Sequence, residues 1–198
     1  AANSGGGTFA GPSITTLTDG GVLATGDFNR DGKLDLALAT IRTSATMSIT
    51  IYSGNGDGTF NAGTPITVST VVTGHWPQGL WAGDFNGDGK TDLLLWIYEN
   101  LDPPQANNVY ELLGNGDGTF APATLVIQNF SGIAVGDFNH DGRPDIVDNV
   151  NQFTSYPLFT PPQFTIYLCQ SDGSFVSSNT YAPYAGQAAF EQTFGTAN

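Results

Sequence analysis

The chain predicts an all-β protein built from repeated four-stranded antiparallel units, and three observations predict it. Charged residues are only 12% of the 198 residues, while Gly (26) and Pro (11) are abundant. An ordinary globular domain carries about a quarter charged residues, many on exposed helices. One sequence pattern recurs three times, and Asn-Gly or Asp-Gly pairs separate short apolar runs. Such pairs are strong hairpin signals, because glycine supplies the positive φ that two-residue β-turns need.

The repeat has two elements. "GDFNRDGKLDLAL" from Gly26 returns as "GDFNGDGKTDLLL" from Gly83 and as "GDFNHDGRPDIVD" from Gly136. "GNGDGTF" from Gly54 returns unchanged from Gly114 and in weaker form as "CQSDGSF" from Cys169; "NSGGGTF" at Asn3 is a degenerate copy. The leading aspartates Asp27, Asp84 and Asp137 stand 57 and 53 residues apart. Four strands repeating at such a period are the signature of propeller blades.

Within each period the elements fall in a fixed order. Strand one is short and apolar ("GVLATG", "GLWAG", "GIAVG") and runs into the aspartate loop. Strand two leaves it ("DLALAT", "DLLLWIY", "DIVDNV"), and strand three follows a variable loop ("SITIYS", "NVYELL", "FTIYLC"). An Asx-Gly turn then leads into strand four ("TFNAGTPITV", "TFAPATLVIQ", "SFVSSNTYA"). The chain divides into blade 1 (21–70), blade 2 (71–130) and blade 3 (131–182), all within one partial propeller spanning 1–198. Residues 1–20 read as a strand remnant of a preceding blade, and 183–198 as a C-terminal partial blade or tail. The phenylalanines of the loops (Phe28, Phe85, Phe138) and those after the turns (Phe60, Phe120, Phe175) are expected to pack between blades.

Charge carries the chemistry. The net charge is −13, and half of the 18 acidic residues lie in the three segments Asp27–Asp35, Asp84–Asp92 and Asp137–Asp145. Clustered carboxylates attract cations, and a surface this acidic disfavours nucleic acid as a partner. Calcium takes six to eight hard oxygen ligands, which D-x-N-x-D-G-x-x-D supplies from alternate positions. The candidate ligands are Asp27, Asn29, Asp31, the Lys33 carbonyl and Asp35 in the first loop. They are Asp84, Asn86, Asp88, Lys90 and Asp92 in the second, and Asp137, Asn139, Asp141, Arg143 and Asp145 in the third. Three calcium sites are therefore expected. Leu38 and Leu95 stand at loop position twelve, where an EF-hand requires glutamate, so the ninth-position aspartate must close each site. Without metal, the loops would be acidic Asx-turns.

These residues resemble the FG-GAP/VCBS repeats of integrin α-subunit propellers and of many bacterial secreted proteins, over nearly the whole chain. The resemblance implies a propeller whose loop between strands one and two holds calcium, with ligands bound at the opposite face. Family rings close with six to eight blades, so about three and a half blades form a fragment or half of a roughly seven-bladed ring. Either the chain belongs to a longer propeller, or a homodimer closes one.

On that opposite face the sequence places longer loops: "IRTSAT", "YENLDPPQANN", "NQFTSYPLFTPPQ" and "TGHWPQGLW". Their aromatic residues Trp76, Tyr98, Tyr156 and Phe159 would bind a protein or glycan ligand, or cover the blades. His140, at a loop position held by Arg30 and Gly87 elsewhere, is expected to point to solvent. No nucleophile with a companion base, no zinc spacing and no phosphate loop is present, so a non-enzymatic role is expected. Glu99, Asp102, Glu111 and Asp148 are the carboxylates outside the loops that a glycosidase pair would need. The single cysteine, Cys169, excludes an internal disulfide framework and reads as a buried thiol. No 18-residue apolar stretch and no signal peptide is visible. The expected role is a calcium-stabilised adhesion or recognition module at the cell surface or outside it. The alternatives are a purely structural, self-assembling repeat domain and an accessory domain of a secreted enzyme.

Overall fold

The computed structural model describes residues 21–43, 46–68, 75–99, 106–129, 132–150 and 163–181. Among them no helix occurs; every regular element is a strand, and the strands form three antiparallel sheets. The first sheet holds β1 (Gly21–Gly26), β2 (Asp35–Thr43), β3 (Thr46–Gly54), β4 (Phe60–Ala62) and β5 (Ile66–Val68). β6 (His75–Gly83), β7 (Asp92–Glu99), β8 (Ala106–Leu112) and β9 (Thr124–Ile127) form the second. β10 (Ile133–Gly136), β11 (Asp145–Val150), β12 (Gln163–Cys169) and β13 (Phe175–Tyr181) form the third. Each sheet follows chain order, an up-and-down meander, as expected for propeller blades. Residues 1–20, 151–162 and 182–198, including Tyr156, Phe159 and both expected partial blades, lie outside the described residues.

Four elements differ from the sequence reading. Strand four of blade 1 is broken: β4 and β5 both pair with β3, separated by Gly63-Thr64-Pro65. Gly63 N still donates to Ile51 O at 2.8 Å, but Pro65 has no N–H and interrupts the ladder, which resumes at Ile66. In blade 2 only the bridge Gly114–Phe120 precedes β9, with Pro122 in the gap. The stretch "TGHWPQGLW", expected as a loop, is instead largely the long first strand of blade 2, β6. Its proline is accommodated by a register shift between Pro77 and Gly79 at the sheet edge, a position where a missing N–H breaks no ladder. "IRTSAT" likewise is mostly strand, with β2 reaching Thr43 and β3 starting at Thr46.

The side-chain alternation of a strand explains how the sheets stack. β7 is apolar at successive positions because both its faces are covered. Leu93, Leu95 and Ile97 join Ala37, Ala39, Ile49 and Ile51 in one core between blades 1 and 2. Leu94 and Trp96 join Val109, Ile146, Tyr167 and Cys169 in a second core between blades 2 and 3. Each fully buried leucine or isoleucine contributes about 1.5–3 kcal/mol.

The loop phenylalanines lock these joints. Phe28 of blade 1 meets Phe120 of blade 2 edge-on at 5.7 Å, and Gly118 N donates to Phe28 O at 2.9 Å across the same joint. Phe85 of blade 2 meets Phe175 of blade 3 at 6.3 Å, and the buried Cys169 thiol donates to Phe85 O.

Candidate functional site

Each aspartate loop joins the first two strands of its blade, and its geometry repeats. In loop one, Asp27 Oδ1 accepts from Asp31 N (3.1 Å) and Oδ2 from Gly32 N (2.9 Å). Asn29 Oδ1 also accepts from Asp31 N, and Asp31 Oδ1 accepts from Lys33 N. The chain can wind this tightly because Gly32 adopts φ +80. Loops two and three reproduce the pattern on Asp84, Asn86 and Asp88 and on Asp137, Asn139 and Asp141. Position four is left-handed in all three: Arg30 (φ 60), Gly87 (φ 74) and His140 (φ 61), with His140 exposed.

The fifth-position carboxylates sit at the open end of the loop. Asp31 is held below the usual carboxylate range by the Lys33 backbone N–H and then its ammonium; Asp141 is lowered in the same way by Arg143. For Asp88 the hydrogen bond from the Lys90 side chain is the largest cause. The matching ion pairs are Lys33–Asp31 at 3.3 Å, Lys90–Asp88 at 2.7 Å and Arg143–Asp141 at 2.5 Å. All are partly or well exposed, where such pairs contribute little.

The ninth position behaves differently. Asp35, Asp92 and Asp145 are fully buried. Asp35 Oδ2 accepts from Phe28 N (3.0 Å) and Oδ1 from Gly54 N (2.8 Å). Asp92 does the same with Phe85 N and Gly114 N, and Asp145 with Phe138 N and Cys169 N. One carboxylate thus ties the loop to the end of strand three, immediately before the Asx-Gly turn. Burial raises the Asp92 carboxyl above its ordinary value against the two N–H donors. The oxygens expected to close a calcium site each already accept one N–H, and a carboxylate oxygen retains a second lone pair. Among the described residues no three His, Cys, Asp or Glu side chains stand together as a metal cage.

The donor set nonetheless has the chemistry a hard cation needs. Positions one, three and five offer only carboxylate and amide oxygens, and position seven adds a carbonyl. No cysteine lies in the loops, and their one imidazole, His140, stands exposed at position four.

Two carboxylates outside the loops lie in the joint between blades 2 and 3. Glu111 is buried on the face of β8 that meets blade 3, where the equivalent strands carry Ile51 and Ile166. Its Oε1 has no hydrogen-bond partner, and a Cβ on Gly173 of blade 3 would lie 3.1 Å from Oε2. Burial, with the charges of Asp92 and Asp172, pushes this carboxyl up to about 7. Aligning the repeats on their turns exposes the substitution, one acid at an apolar position. Asp148 is buried on the opposing face of β11, in register with Ile133 and Thr165, and its charge raises the Tyr167 hydroxyl after burial. Burial, then Glu111, pushes the Cys169 thiol up to about 12, so it stays protonated.

At the far end of blade 2, Trp76 and Tyr98 are cross-strand neighbours with ring centroids 6.4 Å apart. They stand on strands rather than loops, and Trp76 is 45% exposed. Asp102 lies outside the described residues, as does the side chain of Glu99.

Antiparallel four-stranded blades, joined face to face and each carrying the same acidic hairpin loop, define the class: a repeat protein of the β-propeller kind. The FG-GAP-like repeat profile matches residues 27–95 and again 84–147, and the chain belongs to that family. No curated protein matches the sequence. Among solved structures, the chain is similar to a glycoside hydrolase family 43 arabinoxylan arabinofuranohydrolase from Bacillus subtilis, determined in complex with cellotetraose. Identity is 15% and the TM-score 0.49, covering 80% of this chain and 36% of that one. At that TM-score the likeness says nothing of this chain's chemistry. No helix among the described residues is long and apolar enough to cross a membrane.

Proposed function

We propose that the chain is a non-catalytic, calcium-binding propeller module for extracellular recognition or adhesion, in which calcium is structural. The observation that carries this reading is the threefold repetition of one loop. Three times, oxygens of positions one, three and five accept the backbone N–H groups of one exposed loop, and each of these oxygens keeps a second lone pair. Asp27, Asn29, Asp31, the Lys33 carbonyl and a remaining lone pair of Asp35 would hold the first ion, with the equivalent residues in blades 2 and 3. The ion would supply charge neutralisation and cross-linking within the loop, and no reaction chemistry. Open loops of this kind suit affinities on the order of 10⁻⁴–10⁻³ M, which fits an extracellular setting.

A ligand, protein or glycan, would meet the end of the blades opposite the loops. The half-exposed Trp76 beside Tyr98 supports this, since aromatic faces concentrate contact area at binding surfaces. The burial of Glu111 and Asp148 in the joint between blades 2 and 3 speaks against a catalytic role for those two carboxylates.

Calcium at about ten times its dissociation constant should stabilise the fold by roughly 1.4 kcal/mol. Thermal melts in chelator should therefore fall and recover on readdition; coincident melts would overturn the calcium reading. Glycan-array and pull-down binding that Trp76→Ala abolishes would locate the ligand, and binding indifferent to that change would place it elsewhere.

A further inference from the structure

Three of the five basic residues in this chain of net charge −13 stand at position seven of the aspartate loops: Lys33, Lys90 and Arg143. Each grips the position-five carboxylate of its own loop at both oxygens. In loop one, Lys33 N donates to Asp31 Oδ1 at 2.9 Å and Lys33 Nζ to Oδ2 at 3.3 Å. Lys90 holds Asp88 in the same way, with Nζ at 2.7 Å. Arg143 holds Asp141 through its backbone N and Nη2, the latter at 2.5 Å.

Position seven thus carries two groups of opposite use to a cation. Its main-chain carbonyl is a candidate ligand, whereas its charged head sits on a carboxylate the ion would need. That carboxylate keeps lone pairs for a metal, but a divalent ion there would stand close to the ammonium or guanidinium and be repelled by it. In a loop without an ion, the same head offsets the mutual repulsion of the aspartates.

The grip tightens along the chain. The Lys33, Lys90 and Arg143 side chains are 45%, 33% and 24% exposed, in step with their shortening contacts. Arg143 is also held from two further sides. Its Nε donates to Cys169 O at 3.2 Å, at the end of β12. Its stem lies against Gly87 of the blade 2 loop, where an added Cβ would be 3.5 Å from Arg143 Cδ. A planar guanidinium can serve both acceptors at once, which a single ammonium does less well.

We propose that the position-seven side chain is a built-in counter-ion of its loop, supporting the loop before calcium enters and opposing calcium as it binds. Loading draws in the carbonyl of residue seven and displaces its charged head. Each loop still takes one ion, but the concentration required rises from loop one to loop three, because Arg143 is the hardest head to displace. Exposed ion pairs are individually weak, so the side chain tunes affinity by about three- to fivefold. The inference rests on the calcium reading and adds what sets the affinity of those sites.

Calcium calorimetry and thermal melts of the full chain test it, with Lys33→Met, Lys90→Met and Arg143→Met combined. Methionine keeps an apolar stem and the main-chain carbonyl while removing the charge. The triple variant should bind the same number of ions about three- to fivefold more tightly, and in chelator it should melt below the wild type. Arg143 also ties loop three to β12, so the Lys33→Met, Lys90→Met pair is measured alongside and should shift both readouts in the same directions. Arg30→Met removes a like charge from loop one, but Arg30 lays its stem against Gly116 of the next blade. It should tighten binding less than Lys33→Met; an equal effect would mean that net charge alone governs affinity and would overturn the proposal. Variants that bind calcium no more tightly than the wild type would overturn it and leave the calcium reading standing, as would tighter binding with no loss of stability in chelator. Absence of calcium binding in every chain would overturn both.

Discussion

The joint between blades 1 and 2 and the joint between blades 2 and 3 occupy equivalent places in the repeat, yet they are built from different chemistry. Among the described side chains the first is apolar but for the buried amide of Asn108, with Ile51 and Ile49 against Leu93, Leu95 and Leu112. The second keeps the aromatic lock but buries Glu111, Asp148 and Cys169 among its apolar residues. What the repeat holds constant is the lock: the loop phenylalanine, the glycine before the loop and the ninth-position aspartate. The sheet faces between are free to vary as long as they fill the gap, and the second joint accepts an ionisable group in exchange for packing energy.

The largest expected effect probes the lock. Phe28→Ala and Phe85→Ala should each cost about 3–5 kcal/mol, because both rings are buried between blades. Phe138→Ala at the same repeat position should cost less than about 1 kcal/mol, since its ring is half exposed. Urea denaturation measures all three; equal losses would mean that the phenylalanines act within their own blades and not between them.

A smaller effect separates the joints by pH. Glu111 has an ordinary value of 4.5 and titrates at about 7 when folded, through burial and then the charges of Asp92 and Asp172. The folded chain therefore holds a proton that the unfolded chain has released. The stability it contributes is full below 4.5 and is lost as the pH rises to about 7, by on the order of 1–3 kcal/mol. Burial shifts Asp92 in the same direction, so part of the slope persists without Glu111. Glu111→Gln should flatten the decline in denaturation midpoint over this range. A slope identical in the variant would show that Glu111 titrates normally.

Much of this organisation is legible in the residues, for reasons that can be stated. The Asx-Gly turns, the apolar runs and the repeated aspartate loop are local signals, and each fixes backbone geometry without help from distant parts. Tertiary choices are less visible. Pro77 and Gly79 look like loop residues, yet an edge strand tolerates a residue with no N–H at a register shift. Pro65 interrupts strand four for the same physical reason, there breaking the ladder to β3. The ninth aspartate reads as a metal ligand from its spacing alone. Only the fold reveals that it also accepts the N–H of a residue on strand three or directly after it, about twenty positions away in sequence. Glu111 was visible merely as one carboxylate among several; its burial follows from the side of β8 it occupies, which becomes clear once the three repeats are set in register.

The central claim is that the three loops are equivalent calcium sites, and counting ions tests it most directly. Isothermal calorimetry of the chain with calcium should give three ions per chain, falling to two when Asp88→Ala removes an exposed ligand from the middle loop alone. Absence of binding at millimolar calcium, or a stoichiometry that Asp88→Ala leaves unchanged, would contradict it and leave the loops as self-bonded acidic turns.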